Sequence, residues 1–289
     1  MTTKALERSQ PSPADSLATR YRGVLDRVDK AARRSGRTGK DIIVVAVSKY
    51  TGLDQVRELV AMGHRDFGEN HVQALMQRHA SIEEWMSRAK TLPAVRSMSG
   101  GAGGEAMQPV RWHMIGRLQR NKAKKAAELC RLIHSVDNVR VAEEVQIAAN
   151  KLGKTVDVLL QVNTSGEESK QGLAPAAVLH VLDMIDTMIN VRVRGLMTMA
   201  PHESSPGQGG TTSRVTFGRL RDLFEEAKRF GTVTEHFNIL SMGMSDDYEA
   251  AIEEGANVVR IGSAIFGAPT HTPDETEDEG DDEGDGDEE

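Results

Sequence analysis

Residues 41–50 read D-I-I-V-V-A-V-S-K-Y, an apolar run that ends in a lysine. A strand that is apolar on both faces is typical of a covered parallel sheet rather than a half-exposed antiparallel one. Lys49 would then lie at the C-terminal end of this strand, where ligands bind in α/β folds. Taken alone, the stretch has a simpler interpretation, a lysine whose stem packs while its ammonium group reaches water.

The same order of strand, turn and helix recurs along the chain, after a leading amphipathic helix over 14–35. Strict alternation implies parallel pairing with right-handed crossovers. The pattern therefore predicts a (β/α)8 TIM-type barrel, in which the extra N-terminal helix covers the place of a missing eighth helix. An open doubly wound sheet is the alternative, and the Gly/Ser-rich stretches 97–106 and 203–212 are predicted loops. The predicted strands are 42–47, 65–67, 110–115, 131–136, 156–162, 191–197, 236–240 and 257–261, and the helices between them are 53–62, 70–89, 119–129, 138–151, 174–189, 213–230 and 246–254.

Charge is distributed unevenly over the 289 residues. The formal net charge is -7, but residues 274–289 hold twelve acidic groups and no basic ones. Without them, 36 basic and 31 acidic residues remain, which gives a net charge of +5. We predict a disordered N-terminus over 1–13, one ligand-binding barrel over 14–268 and an acidic disordered tail over 269–289.

Several classes of protein are disfavoured by composition. Cys130 is the only cysteine, so no intrachain disulfide can form. The N-terminus lacks an apolar signal segment and no apolar run is long enough to span a membrane, so we predict a cytoplasmic protein. The basic run at 120–125 has no interleaved aromatic residues, so a solvated helix face is favoured over a nucleic-acid site. The histidines form no metal-ligand motif, and His113 is predicted to be a core histidine.

Two loops have the composition of a phosphate-binding site. In TIM barrels, phosphate groups commonly bind at the loops after strands 7 and 8. Here L-S-M-G-M-S-D-D occupies 240–247 and R-I-G-S-A-I-F-G occupies 260–267. Turn and helix-cap chemistry explains each loop alone, but their joint occurrence at these places favours phosphate binding. Hydroxyl groups and close backbone approach would come from Ser241, Ser245, Ser263, Gly243 and Gly262.

Lys49 would face this phosphate site across the barrel mouth. A partly desolvated lysine can form a Schiff base with an aldehyde, and pyridoxal 5′-phosphate carries both an aldehyde and a phosphate. Arg260, on the eighth strand, would then lie near the pyridine nitrogen. An arginine there has no easily shared proton, so the ring would remain a weak electron sink. An ion pair inside the barrel is the alternative role for Arg260.

Seven motifs, in order along the chain, carry a resemblance to a known family. They are A-V-S-K at 46–49, F-G-E-N-H-V-Q at 67–73, W-H-M-I-G-R-L-Q-R-N-K at 112–122, L-L-Q-V-N at 159–163, R-G-L-M-T-M-A at 194–200, S-M-G-M-S-D-D-Y-E-A-A-I at 241–252 and V-R-I-G-S-A-I-F-G at 259–267. Together they resemble the YggS/PROSC family of pyridoxal phosphate homeostasis proteins over about residues 20–268. The resemblance implies a fold-type III PLP-binding barrel, similar to the barrel domain of alanine racemase.

The resemblance also implies which residues contact the cofactor, with no catalytic residue and no metal. Two positions depart from the usual family pattern: Arg117 stands where many members have proline, and Ser263 where many have threonine. The implied residues are Lys49 as the Schiff-base lysine, Asn70 near the cofactor, Arg260 at the ring nitrogen, and Ser241, Gly262 and Ser263 at the phosphate.

Three functions are compatible with these residues. The resemblance implies a non-catalytic protein of PLP homeostasis that buffers and delivers the cofactor, balances amino-acid and keto-acid pools, and has apo-enzymes as partners. We expect a monomer, because no racemase β-domain follows the barrel. An amino-acid racemase of the alanine racemase type is the alternative, with Tyr50 beside Lys49 as its candidate second acid–base. A barrel that binds a sugar phosphate through an aldolase-type imine at Lys49 is the third.

Overall fold

The fold is described by a computed structural model for residues 16–91, 108–167, 171–201, 209–230 and 233–268. Four predictions lie wholly or mostly outside these ranges. They are the disordered termini 1–13 and 269–289, the loop 97–106 and the first part of the loop 203–212.

Eight parallel strands form a closed barrel in which each strand pairs with the next and β8 pairs with β1. In the closing pair, Val45 of the first strand is the register partner of Arg260 of the last. The predicted (β/α)8 barrel is therefore confirmed, and the open doubly wound sheet is wrong. The strands are β1 Ile43–Val47, β2 Asp66–Glu69, β3 Arg111–Met114, β4 Cys130–Val136, β5 Val156–Gln161, β6 Val191–Met197, β7 Ile239–Ser241 and β8 Val258–Ile261.

Helices surround the barrel and include the leading helix predicted from the sequence. This helix, α1, packs against the last two helices of the described chain, α8 and α9. Arg20 fixes the contact, because its guanidinium donates to the carbonyls of Ile265 (2.9 Å) and Phe266 (3.0 Å). The helices are α1 Leu17–Arg34, α2 Leu53–Ala61, α3 Val72–Thr91, α4 Ala123–Leu129, α5 Val139–Leu152, α6 Val178–Asp186, α7 Gly209–Arg229, α8 Tyr248–Glu253 and α9 Ser263–Phe266, with short 3-10 turns at Gly39–Asp41, Arg120–Lys122 and Pro175–Ala177.

Several element boundaries differ from the predictions by a few residues, and two of these differences affect the interpretation. The helix α7 begins at Gly209, so the last part of the predicted loop 203–212 is helical. Composition marks glycine- and serine-rich stretches as loops, but tertiary packing can extend a helix into them. The strand β7 includes Ser241, because Ser241 pairs with Met197 of β6. Ser241 is therefore the last residue of a strand and not part of the loop after it.

The apolar core has two parts, as expected of strands covered on both faces. The larger part lies between the strands and the helices. The smaller part fills the barrel interior and contains Val45, Leu132, Leu159, Met197, Ile239 and Val258, one from each of six strands. This interior layer leaves the C-terminal end of the barrel to polar side chains.

Candidate cofactor-binding site

Lys49 lies two residues after the end of β1, in the turn that leads to α2. The residue is exposed, and its Nζ atom lies 4.9 Å from the centroid of the Tyr50 ring. Partial desolvation lowers the pKa of Lys49, and the nearby Glu69 carboxylate offsets part of this effect. A lowered pKa increases the unprotonated, nucleophilic fraction of the amine.

Glu69 is a buried carboxyl group close to Lys49 that received no role from the sequence. It ends β2, accepts a hydrogen bond from the Ser48 hydroxyl (2.5 Å) and forms an ion pair with the Arg78 guanidinium (2.9 Å). Burial raises the pKa of Glu69, and Arg78 acts in the opposite direction. Its Oε2 atom accepts no hydrogen bond from the described residues. The signal in the sequence was a glutamate within an otherwise buried strand, D-F-G-E.

Asn70 follows Glu69 directly and is half-buried. The loop after β3 passes against its backbone, since a Cβ atom at Gly116 would lie 2.2 Å from the Asn70 carbonyl oxygen. Only glycine fits at position 116, and this close approach holds Asn70 at the same end of the barrel as Lys49. The structure therefore brings these two predicted cofactor contacts to one end of the barrel.

Backbone amides after β8 converge on a hydroxyl from the loop after β7. The amides of Gly262 and Ala264 donate to Ser245 Oγ at 3.2 and 3.3 Å. Ser263 lies between these amides and is exposed. We call the group formed by Ser245, Gly262, Ser263 and Ala264 the amide cradle. Two amides that donate to one oxygen can also donate to an anionic oxygen at the same place.

The amide cradle adjoins the loop that carries Lys49. A Cβ atom built on Gly262 would lie 3.4 Å from the carbonyl oxygen of Val47, the last residue of β1. This proximity follows from the β1–β8 pairing that closes the barrel. The lysine and the amides therefore share one end of two neighbouring strands.

Ser241 and Arg260 lie inside the barrel and contact each other. Arg260 Nη1 donates to Ser241 Oγ at 2.7 Å, and Arg260 Nη2 donates to the Thr198 carbonyl at 2.9 Å. Burial lowers the pKa of Arg260 to about 10, and Asp247 partly opposes this shift, so the guanidinium remains charged at neutral pH. The structure thus separates the predicted phosphate contacts: Ser241 is next to Arg260, whereas Gly262 and Ser263 lie with Ser245.

The residues that the structure describes contain no group of three or more His, Cys, Asp or Glu side chains placed to hold a metal ion. None of their helices is both long and apolar enough to cross a membrane.

Comparisons with known proteins agree with this architecture. The profile of the family described as alanine racemase, N-terminal domain, matches residues 25–270. The pyridoxal phosphate homeostasis protein of Aquifex aeolicus is 35% identical over 245 residues, which cover 84% of this chain and 94% of that protein. The protein of the same name from Pseudomonas aeruginosa is 34% identical, with coverages of 88% and 96%.

Solved structures give the same result. The solved structure of PipY from Synechococcus elongatus with PLP bound has 29% sequence identity to this chain and a TM-score of 0.68. The match covers 87% of this chain and 100% of PipY. Alanine racemase of Clostridium difficile shares the fold at 14% identity and a TM-score of 0.59, over 90% of this chain and 58% of the racemase. The chain belongs to the alanine racemase N-terminal domain family and, within it, to the pyridoxal phosphate homeostasis proteins.

Proposed function

We propose that this protein binds pyridoxal 5′-phosphate and takes part in PLP homeostasis, buffering and delivering the cofactor without rapid turnover of amino acids. One observation carries the proposal: a lysine of lowered pKa, converging backbone amides and a buried arginine lie at the C-terminal ends of β1 and β8, two strands that pair with each other. The PLP-bound structure of a relative with 29% identity supports it.

The chemistry of these donors fits the cofactor. Lys49 would hold the aldehyde carbon, because its amine is the nucleophile at this end of the barrel. The amide cradle would hold the phosphate, since amides and small hydroxyls bind anionic oxygens. Arg260 would donate to the pyridine nitrogen. When bound, PLP supplies an electrophilic aldehyde and an electron-withdrawing ring.

The proposed absence of rapid turnover depends on Arg260 and on the positions of the tyrosines. A charged guanidinium at the ring nitrogen retains its own proton, which limits the ring as an electron sink. The Tyr21 hydroxyl is hydrogen-bonded to His64 Nδ1 at 3.0 Å, on the helix side of the barrel. The Tyr248 ring packs against Arg27, whose Cζ atom lies 5.6 Å from the ring centroid. Only Tyr50, of the three tyrosines, lies beside Lys49, so the racemase alternative depends on Tyr50.

The test of the proposed function is covalent trapping. The full-length protein is mixed with PLP, its visible absorbance is recorded, and borohydride reduction is followed by mass spectrometry of the peptides. We expect a visible band that reduction removes, with the added mass on Lys49. Triose and pentose phosphates serve as controls for the aldolase-type alternative. Trapping of a sugar phosphate in place of PLP would reject the proposed function.

We further propose a cytoplasmic monomer that passes PLP to apo-enzymes. A mildly basic barrel with a single cysteine suits a reducing compartment and a phosphorylated small ligand. Light scattering of the purified protein measures the oligomeric state. Transfer is measured as recovery of activity in an apo-enzyme given the loaded protein, compared with an equal concentration of free PLP.

We predict that the amide cradle distinguishes PLP from pyridoxal, which lacks the phosphate. A hydrogen bond to a charged group contributes about 1.5–3 kcal/mol, so Ser245→Ala should weaken PLP binding about ten- to a hundredfold. The exposed Ser263 should show a smaller loss of the same kind. Neither substitution should change pyridoxal binding appreciably. Dissociation constants for both ligands, from absorbance titration, measure the difference.

Ser241→Ala is the comparison variant for this prediction. The contact between Ser241 and the phosphate remains a prediction. The Ser241 hydroxyl also accepts a hydrogen bond from Arg260. We therefore expect Ser241→Ala to weaken the binding of both ligands. Equal losses for the two ligands in the Ser245→Ala and Ser263→Ala variants would place the phosphate elsewhere.

A further inference from the structure

Five buried polar side chains form an unbroken series of hydrogen bonds across the barrel interior. Asp66 Oδ1 lies 3.1 Å from His113 Nε2, and His113 Nδ1 lies 2.9 Å from His134 Nε2. His134 Nδ1 lies 2.9 Å from Ser241 Oγ, to which Arg260 donates. All five are at most 9% exposed. The series therefore links the start of β2 to the proposed partner of the cofactor ring through side chains that are almost completely buried.

The two ends of this series have fixed roles. Arginine has only donors, so Arg260 must donate to Ser241. Burial alone would raise the pKa of Asp66, but hydrogen bonds from Arg111 and His113 outweigh it and hold the pKa below its ordinary value. Asp66 is therefore ionised and can only accept. The direction of the bonds between the two ends remains to be assigned.

The two histidines connect these ends in one consistent way. Burial holds the pKa of His134 well below its ordinary value, and the charge of Arg260 acts in the same direction, so His134 is neutral. When the single ring hydrogen of His113 lies on Nε2, it donates to Asp66, and His113 Nδ1 accepts from the Nε2–H of His134. The Nδ1 atom of His134 then accepts the hydroxyl hydrogen of Ser241. Each bond is satisfied, and every donor points from Arg260 toward Asp66.

The reverse arrangement leaves a group without a partner. If His113 carried two protons, its Nδ1–H would donate to His134 Nε2, and His134 would donate from Nδ1 to Ser241. Ser241 Oγ would then accept from both His134 and Arg260. Its own hydrogen would have no acceptor among the groups that bond it, which is costly for a fully buried hydroxyl.

We propose that Asp66, His113 and His134 are positioning residues that hold a lone pair of Ser241 toward Arg260. Ser241 and the Thr198 carbonyl together orient the guanidinium so that its further N–H donors face the ring nitrogen of the cofactor. The part that concerns the cofactor rests on the proposed function. The positions of the hydrogens along the series do not rest on the proposed function, because they involve only groups of the protein.

Other charged groups act on the two ends of the series. Arg111 pairs with Asp66 through both carboxylate oxygens, at 2.8 and 2.5 Å. Asp247, just ahead of α8, faces Arg260. Experiments that vary pH must therefore use variants that leave Arg111 and Asp247 in place.

The first test reads the histidine tautomers without any cofactor. Long-range ¹H–¹⁵N spectra are recorded at neutral pH on the full-length protein with ¹⁵N-labelled imidazoles, and His113→Gln and His134→Gln variants assign the signals. We expect both histidines to be neutral, with the hydrogen on Nε2. A hydrogen on Nδ1 of either ring, or two protons on His113, would overturn the proposed order.

The second test reads the effect on the bound cofactor with a matched pair of variants. His134→Phe keeps a ring but has no nitrogen, whereas the amide of His134→Gln can still accept and donate. Loosening Arg260 weakens its bond to the ring nitrogen, which leaves more electron density on the bound cofactor. The pH midpoint of the visible band should therefore rise by about half a unit to one unit in His134→Phe. It should stay near the wild-type value in His134→Gln.

The outcomes are separable. An unchanged midpoint in a folded His134→Phe variant, or equal shifts in both variants, would make the histidines structural only and overturn the proposal. If His134→Phe does not fold, the tautomers of the wild-type protein still decide the order of hydrogens. If PLP fails to bind the wild-type protein, the proposed function fails while the tautomer result stands.

Discussion

Lys49→Ala should abolish borohydride trapping of PLP, because it removes the amine that we propose reacts with the aldehyde. The phosphate should still bind the amide cradle, so we expect residual, reversible binding weakened by about tenfold or more. Lys49→Arg provides a second variant that keeps the positive charge but cannot form a covalent bond with an aldehyde. Both variants should lack the visible band and the added mass.

The matched control for this prediction is Lys40→Ala. Lys40 is an exposed lysine in the turn ahead of β1, at the opposite end of the barrel from Lys49. Its removal should leave trapping unchanged. The pH dependence gives an independent check: attachment requires the unprotonated amine, so its rate should rise with pH through the lowered pKa of Lys49 and level off below the usual range of a lysine. Persistent trapping in Lys49→Ala would show that another lysine holds the cofactor.

The loaded protein should not racemise amino acids at an enzymatic rate. Cleavage of the Cα–H bond with inversion needs an electron sink and a general base on each face, and a positioned base contributes about 10²- to 10⁴-fold. In the proposed site, Arg260 would limit the electron sink, and Lys49 would supply a base on one face only. We therefore expect inversion at least about a thousandfold slower than the ~10 s⁻¹ typical of enzymes.

Single-enantiomer amino acids in deuterated water measure this directly. Mass spectrometry reports deuterium at Cα, and chiral chromatography reports inversion, with an alanine racemase as the positive control. Slow deuterium incorporation with retention is consistent with Lys49 acting alone. Rapid incorporation with inversion would reject the carrier function, and Tyr50→Phe would then test whether the tyrosine beside Lys49 is the second base.

The barrel and its reactive end could be predicted because they depend on local patterns. Strands such as 42–47 are apolar on both faces, and strict alternation with helices leaves few parallel topologies. In any parallel barrel the residues after each strand meet at one end, so Lys49, Asn70 and the loop at Gly262 were expected to be neighbours. The seven motifs between residues 46 and 267, taken together, also indicated the family.

Contacts at hydrogen-bond distance depend on register, which the sequence does not display. Ser241 and Ser245 read alike in the loop S-M-G-M-S, yet the pairing of Ser241 with Met197 places its hydroxyl inside the barrel. Ser245 lies beyond the strand and meets the amides of Gly262 and Ala264 instead. Gly243 turns the chain between the two serines. Its φ of +93° favours glycine, and a Cβ atom there would lie only 2.5 Å from Ala251 Cβ.

The sequence by itself determined a closed αβ barrel of a known family, with Lys49 at the C-terminal end of its first strand. Tertiary structure alone decided which hydroxyl belongs to the amide cradle, and it joined Asp66, His113 and His134 to Arg260. These side chains come from four strands that are far apart in the chain, and their partners are set by strand stagger and barrel closure. Periodicity reports which face a side chain occupies, whereas a bond of about 3 Å requires the relative positions of two strands.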